Sequence, residues 1–168
     1  MIEGILTLWK EKGMTSFGCV SRVRRIVGMK KVGHAWTLDP QVEGVLPIAL
    51  GSATKVLEFM LESDKTYAGE LTLGYTTSTE DATGEIIVRE EVEDGLAEEM
   101  VDAVLQSFVG KIQQTPPMFS AVKIDGKRLY EYAFEGKVID RPSREVTIHS
   151  IERTSEMQYD DVEKTVRF

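Results

Sequence analysis

The run Gly33-His34-Ala35-Trp36-Thr37-Leu38-Asp39-Pro40, continuing as Gln41-Val42-Glu43-Gly44-Val45-Leu46-Pro47, constrains this chain more than any other stretch. Pro40 fixes its own φ and biases Asp39 toward extended backbone. Glycines and a second proline surround the carboxylate, and the apolar run Val45-Leu46-Pro47-Ile48-Ala49-Leu50 follows. Asp39 is therefore presented from a rigid, irregular loop, and loops held by rigid scaffolds are where chemistry concentrates. Taken alone, the Asp-Pro pair also suits an ordinary structural turn.

The chain around this loop has the size and composition of a globular domain. Its 168 residues, 42% hydrophobic and 29% charged, suit one domain with a real core. No run approaches the ~18 apolar residues of a membrane span, so no membrane partner is expected. Met1-Ile2-Glu3-Gly4-Ile5-Leu6 lacks a basic segment leading into an apolar core, which argues against a secretory signal. The single Cys19 cannot form an internal disulfide, and a reducing, cytoplasmic setting is expected. Two histidines and one cysteine, widely spaced, give no zinc pattern, and no metal is expected.

A net charge of −8 argues against a polyanionic partner, but its distribution does not. Residues 1–35 carry Lys10, Lys12, Arg22, Arg24, Arg25, Lys30 and Lys31 against Glu3 and Glu11. Residues 85–102 carry eight acidic side chains, from Glu85 to Asp102, against Arg89. The basic block adjoins the Asp39 loop and can steer a polyanion there. Two solubilising faces are the plainer reading of the same pattern.

Periodicity predicts alternating short strands and helices. Ile5 to Trp9 reads as a strand, with Thr15 or Ser16 as the N-cap of a helix over Phe17 to Val27 that Gly28 ends. Thr54 to Leu61 reads as a helix. Strands are expected over Lys65 to Gly74 and Glu85 to Glu91, then a helix over Leu96 to Val109 with Gly110 as its stop. Thr115-Pro116-Pro117 breaks regular structure, and Ser120 to Ile124 reads as a strand turning at Asp125-Gly126 into a short helix, Arg128 to Phe134. Strands over Val146 to Arg153 and Val162 to Phe168 complete an α+β domain with an antiparallel or mixed sheet flanked by helices. No phosphate-loop or dinucleotide motif supports a small-molecule enzyme.

The Asp39 run resembles the catalytic signature of the TruB family, the bacterial tRNA pseudouridine-55 synthases. The family pattern is Gly-His-x-Gly-x-Leu-Asp-Pro followed by x-x-x-Gly-x-Leu-Pro, matched at Gly33, His34, Leu38, Asp39, Pro40, Gly44, Leu46 and Pro47. The resemblance implies a pseudouridine synthase fold and isomerisation of uridine 55 in the tRNA T-loop. It implies that Asp39 is the catalytic carboxylate and that His34 engages the RNA from which the uridine is displaced. Ser63-Asp64-Lys65-Thr66-Tyr67 matches a second family motif and implies that Tyr67 stacks on the flipped uracil. Without the family, His34 reads as a hydrogen-bonded structural residue and Tyr67 as strand packing. Lys55 matches another family position, with support of the loop and phosphate contact both open.

A third matching block covers 116–136, and the family's version, here 111–145, shapes an RNA-gripping insertion. In it Lys123, Lys127 and Arg128 would face phosphates beside Tyr130 and Tyr132, although a packed hairpin and helix explains the same residues. The isomerisation breaks a C–N bond and remakes the link through carbon without redox change, so no cofactor is expected. A carboxylate can serve as nucleophile toward sugar or base, or as a general base.

The chain departs from the pattern at three places. Trp36 stands where the family has glycine, so either the backbone there is strained or the loop has moved and the ring stacks on another group. Ser78 stands where relatives commonly have an acidic residue, a difference of small expected effect. Third, the resemblance implies a further strand with Lys-Gly-x-Tyr-Ile-Arg, whose arginine pairs with the aspartate, and a C-terminal RNA-binding module. Residues 1–168 therefore read as the N-terminal part of a catalytic domain, with an open sheet edge expected at the last strand. A non-catalytic RNA-binding or RNA-folding protein on the same scaffold is the alternative.

Overall fold

The computed structural model describes residues 2–120 and 122–168. The chain divides into two compact units, one ending at Tyr67 and the other spanning Ala68–Phe168.

In the first unit, β1 (Gly4–Lys10), β2 (Val32–His34) and β3 (Gly44–Leu50) form an antiparallel sheet in the order β1-β3-β2, with α1 (Ser16–Val27) against it. A 3₁₀ turn, Gly51–Val56, leads into α2 (Leu57–Leu61). Thr15 caps α1, its hydroxyl accepting from the Gly18 N–H at 2.9 Å. Gly28 ends the helix in the left-handed region at φ 65°, where a side chain would be strained. Cys19, Val20 and Val23 recur at helical spacing and pack on Val32, Leu46, Ile48 and Leu50. Leu46 and Ile48 are fully buried, each worth about 1.5–3 kcal/mol. Gly33 lies close to α2: a Cβ there would fall 2.9 Å from Leu57 Cδ1, so that leucine side chain would have to shift.

The second unit holds β4 (Thr72–Leu73), β5 (Tyr75–Thr77), β6 (Ile86–Arg89), α3 (Glu98–Ser107), β7 (Gly110–Gln114), β8 (Lys123–Ile124), β9 (Lys127–Arg128), α4 (Leu129–Phe134), β10 (Arg144–Ile148), β11 (Gln158–Asp160) and β12 (Thr165–Arg167). These strands pair as β7 with β10, β5 with β6, β8 with β9, and β11-β12-β4, all antiparallel. The architecture is α+β, with small antiparallel sheets and helices.

Several expected elements shift. The strand expected over Lys65 to Gly74 survives only as β4; residues 61–71 are exposed, so their alternation has no face to pack. Gly110 also opens β7, whose pairing Gly110↔Ile148 ends β10 earlier than the expected Arg153. Of the strand expected at Ser120 to Ile124, Lys123–Ile124 forms and Ala121 lies outside the described residues. The last strand is not an open edge, because β12 lies between β11 and β4.

Arg153 ties the 149–157 segment to α3: it donates from Nη2 to Glu98 at 2.6 Å and from Nε to Asp102 at 3.0 Å. The hydrogen bond from Arg153 holds the Asp102 carboxyl below the usual carboxylate range. A depressed carboxylate stabilises the fold above its unfolded pKa of about 3.9, and that contribution disappears as pH falls through the folded value. Urea unfolding between pH 5 and pH 3, both about the carboxylate range, should therefore show a weaker loss of stability for Arg153→Met than for the parent chain.

Candidate functional site

The Asp39 loop exists because the β2–β3 ladder is cut short. Pro47 sits in the central strand, a place that proline usually avoids. Its carbonyl accepts from the Ala35 N–H at 3.1 Å, so the backbone polar groups of Pro47 face β2. The return bond that an N–H at 47 would donate to Ala35 cannot form, and the β1 side loses nothing. Pairing stops after Ala35, and residues 36–43 leave the sheet.

The loop is fastened on both sides of Asp39. Before it, the buried Ser16 hydroxyl accepts from Leu38 N–H at 2.9 Å and donates to Leu38 C=O at 3.0 Å, while the Leu38 side chain packs against the core. After it, the Pro40 carbonyl accepts from Gly13 N–H at 2.7 Å and from Lys10 Nζ at 3.3 Å. Lys10 is 0% exposed, and its ammonium also donates to Met14 C=O at 2.8 Å and Glu11 C=O at 3.1 Å. The Asp39 carbonyl accepts from Val42 N–H at 3.0 Å, closing a turn. The Asp39 side chain is exposed, and among the described residues no hydrogen bond or ion pair engages it. A fixed backbone thus presents a free carboxylate.

The expected helpers are placed as follows. His34 ends β2, half-buried, with Nδ1 buried and without a hydrogen-bond partner among the described residues. That does not match a histidine satisfied by structural hydrogen bonds. Tyr67 is 74% exposed in irregular chain rather than packed in a strand. Lys55 is exposed in the 3₁₀ turn. Trp36 does not have positive φ, so tryptophan costs the backbone nothing there. Its ring packs against the core beside Leu38, and Lys65 Nζ lies 5.3 Å from the ring centroid, a contact worth about 0.5–1 kcal/mol at an exposed site.

The basic block needs one correction. Lys10 is buried, and Arg24 Nη2 donates to Val32 C=O at 2.7 Å, so neither is a free surface charge. Lys12, Arg22, Arg25, Lys30 and Lys31 remain exposed. The anchoring roles of Lys10 and Ser16 were missed in the sequence, although one signal was there. Register places Lys10 opposite Gly44 and Leu8 opposite the buried Leu46, on the core-facing side of β1.

In the second unit, β7 and β10 close at Gln114↔Arg144, and Arg141 Nη1 donates to Pro116 C=O at 3.0 Å. Residues 115–143 therefore form an excursion with its ends tied together. Within it Asp125 and Gly126 both have positive φ, the turn that joins β8 to β9. Leu129 is fully buried, and Phe134 meets Phe119 and Tyr130 edge to face. Lys123 is exposed. Lys127 pairs with Glu135 and lies 4.7 Å from the Tyr132 ring centroid; Arg128 donates to Tyr130 Oη at 3.0 Å. Lys127 and Lys137, both donating to Glu135, hold its carboxyl below the usual range.

Comparison with known proteins identifies the family. The family model for TruB family pseudouridylate synthase (N terminal domain) matches residues 24–168. A tRNA pseudouridine synthase B from Bacillus pumilus (strain SAFR-032) is 55% identical over 168 residues, 100% of this chain and 54% of that protein. The protein of the same name from Streptococcus pyogenes serotype M2 (strain MGAS10270) is 54% identical over 159 residues, 95% of this chain and 54% of its own length. The crystal structure of a Cbf5-Nop10-Gar1 complex contains a chain matching at TM-score 0.58 and 28% identity, over 98% of this chain and 37% of that one. The chain spans about half the length of the curated relatives it matches. It belongs to the TruB family of pseudouridylate synthases, matching the N-terminal domain.

Proposed function

We propose that this chain carries the catalytic loop of a tRNA pseudouridine synthase that isomerises uridine 55 in the T-loop, with Asp39 as the reacting carboxylate. The observation that carries this reading is the exposed, unpaired Asp39 side chain on a loop fastened at Leu38 and Pro40. The similarity to proteins named tRNA pseudouridine synthase B supports the substrate class.

The isomerisation conserves atoms. The C1′–N1 bond breaks, a C1′–C5 bond forms, the proton on C5 leaves and N1 gains one. Asp39 can attack the nucleoside or take a proton, and a preorganised loop spares the reorganisation cost in either role. The target base must first leave its stack, at about a few kcal/mol. The exposed Tyr67 ring supplies a stacking face worth about 1–3 kcal/mol, and the half-buried His34 engages the displaced RNA. Lys55, Lys123, Lys127 and Arg128 contribute phosphate contacts, and the tied excursion within 111–145 grips the T-arm. The buried free Cys19 suits the reducing cytoplasm where tRNA is processed.

The test is tritium release from 5-tritiated uridine in T-arm RNA, which reports loss of the C5 hydrogen. Salt-dependent RNA binding without release would instead favour a non-catalytic RNA-binding protein.

The phosphate contacts should be unequal. Lys123→Ala is expected to lower the salt slope of RNA binding by about 0.7–0.9, one contact's worth. Lys127→Ala should lower it less, because Glu135 already neutralises that ammonium. Filter binding across a salt series reads both; equal slopes would contradict the assignment.

A further inference from the structure

We propose that Trp36 and Lys65 form a clamp that positions Tyr67 relative to Asp39; this rests on the reading of Asp39 as the reacting carboxylate and Tyr67 as the stacking ring. Trp36 precedes Asp39 by three residues and Lys65 precedes Tyr67 by two. Trp36 is partly buried and packs against the first unit's core, as does Leu38 of the same loop. Lys65 Nζ donates to Leu61 C=O at 2.9 Å and to Ser63 C=O at 2.8 Å. Those bonds hold the ammonium at the C-terminal end of α2 and leave its remaining side toward the Trp36 ring, 5.3 Å from the centroid. One cation thus joins the segment carrying the carboxylate to the segment carrying the stacking ring.

Chain geometry makes this a constraint on the site. Extended chain advances at most about 3.6 Å per residue, so the Asp39 Cα lies within about 11 Å of the Trp36 Cα, and the Tyr67 Cα within about 7 Å of the Lys65 Cα. Residues 64–70 belong to no strand, and backbone pairing resumes only at Leu71, bonded to Phe168. Glycine at position 36, the residue in the family pattern, offers no ring to the ammonium. The positioning is therefore a property of this chain's own tryptophan.

Two arms test the clamp in the full chain. Spin labels are placed at Asp39→Cys and Tyr67→Cys in a Cys19→Ala background, since Cys19 is the one other thiol. Dipolar EPR should give a narrow distance distribution that broadens with Lys65→Met and with Trp36→Leu. Combining the two should broaden it no further, and Lys65→Arg and Trp36→Phe, which keep cation and ring, should preserve it. An unchanged width in Lys65→Met overturns the proposal. In the turnover arm, Lys65→Met should lower kcat about two- to fivefold with KM nearly unchanged, the signature of misplacement rather than lost binding. If Asp39→Asn abolishes tritium release while Lys65→Met leaves kcat unaltered, the clamp is wrong and the synthase reading stands. If the parent chain releases no tritium, the synthase reading fails, and the label distances alone decide whether the clamp exists.

Discussion

Asp39→Asn is expected to suppress tritium release from T-arm RNA by about a thousandfold or more while the protein stays folded and binds RNA. The substitution keeps shape and removes the atom that can attack or accept a proton. Its effect on stability should be small, within about 0.5 kcal/mol, as for exposed positions without special contacts. The structure gives the reason: the Asp39 side chain is exposed and unpaired among the described residues, so nothing is orphaned by its loss. The backbone bonds at Leu38 and Pro40, which do hold the loop, involve no Asp39 side-chain atom. Turnover by the parent chain, RNA affinity and the urea midpoint should therefore separate cleanly. Residual turnover near the parent level would remove Asp39 from the reaction. A large drop in the urea midpoint would show that the carboxylate is structural.

How much could be read beforehand differs from element to element. The ends of α1 were legible because Thr15 and Gly28 act locally, through one hydroxyl and one left-handed residue. The Asp39 loop was legible as a loop, but its cause was not. Pro47 reads as a breaker, and only the strand register shows a central strand that tolerates it because β2 ends there. Tyr67 misled through its alternation with Gly69, Leu71 and Leu73, a pattern that makes a strand only where a partner exists; here pairing reaches no further back than Leu71, which bonds Phe168 beside the paired Thr72 and Leu73. Trp36 was recognisable as a departure, yet its ammonium partner lies twenty-nine positions on, at Lys65, and no local pattern links them. Counting charge along the sequence placed Lys10 on a basic surface, because a composition count cannot register which face of a strand a residue occupies.

That misplaced lysine gives the largest expected effect on stability. Lys10→Met should lower the free energy of unfolding by about 2–3 kcal/mol. Methionine matches the length of the stem and keeps the apolar contacts, so the change isolates the ammonium. Three carbonyls lose a charged donor, from Met14, Glu11 and Pro40. Hydrogen bonds from a charged group are worth about 1.5–3 kcal/mol each, but the buried charge also costs desolvation, so the net is far below their sum. Pro40 keeps its bond from Gly13, which limits the damage on that side and leaves Met14 the most exposed to loss. Against a total stability of about 5–15 kcal/mol, such a change should move the urea midpoint clearly. Lys10→Arg should not rescue, since a guanidinium is too bulky for a site with 0% exposure. The same ammonium fixes the residue after Asp39, so turnover in Lys10→Met should fall more than RNA affinity under conditions where the variant is still folded. An unfolding free energy within about 0.5 kcal/mol of the parent would mean that water replaces the ammonium at all three carbonyls, and that the loop owes its position to Ser16 and Gly13 alone.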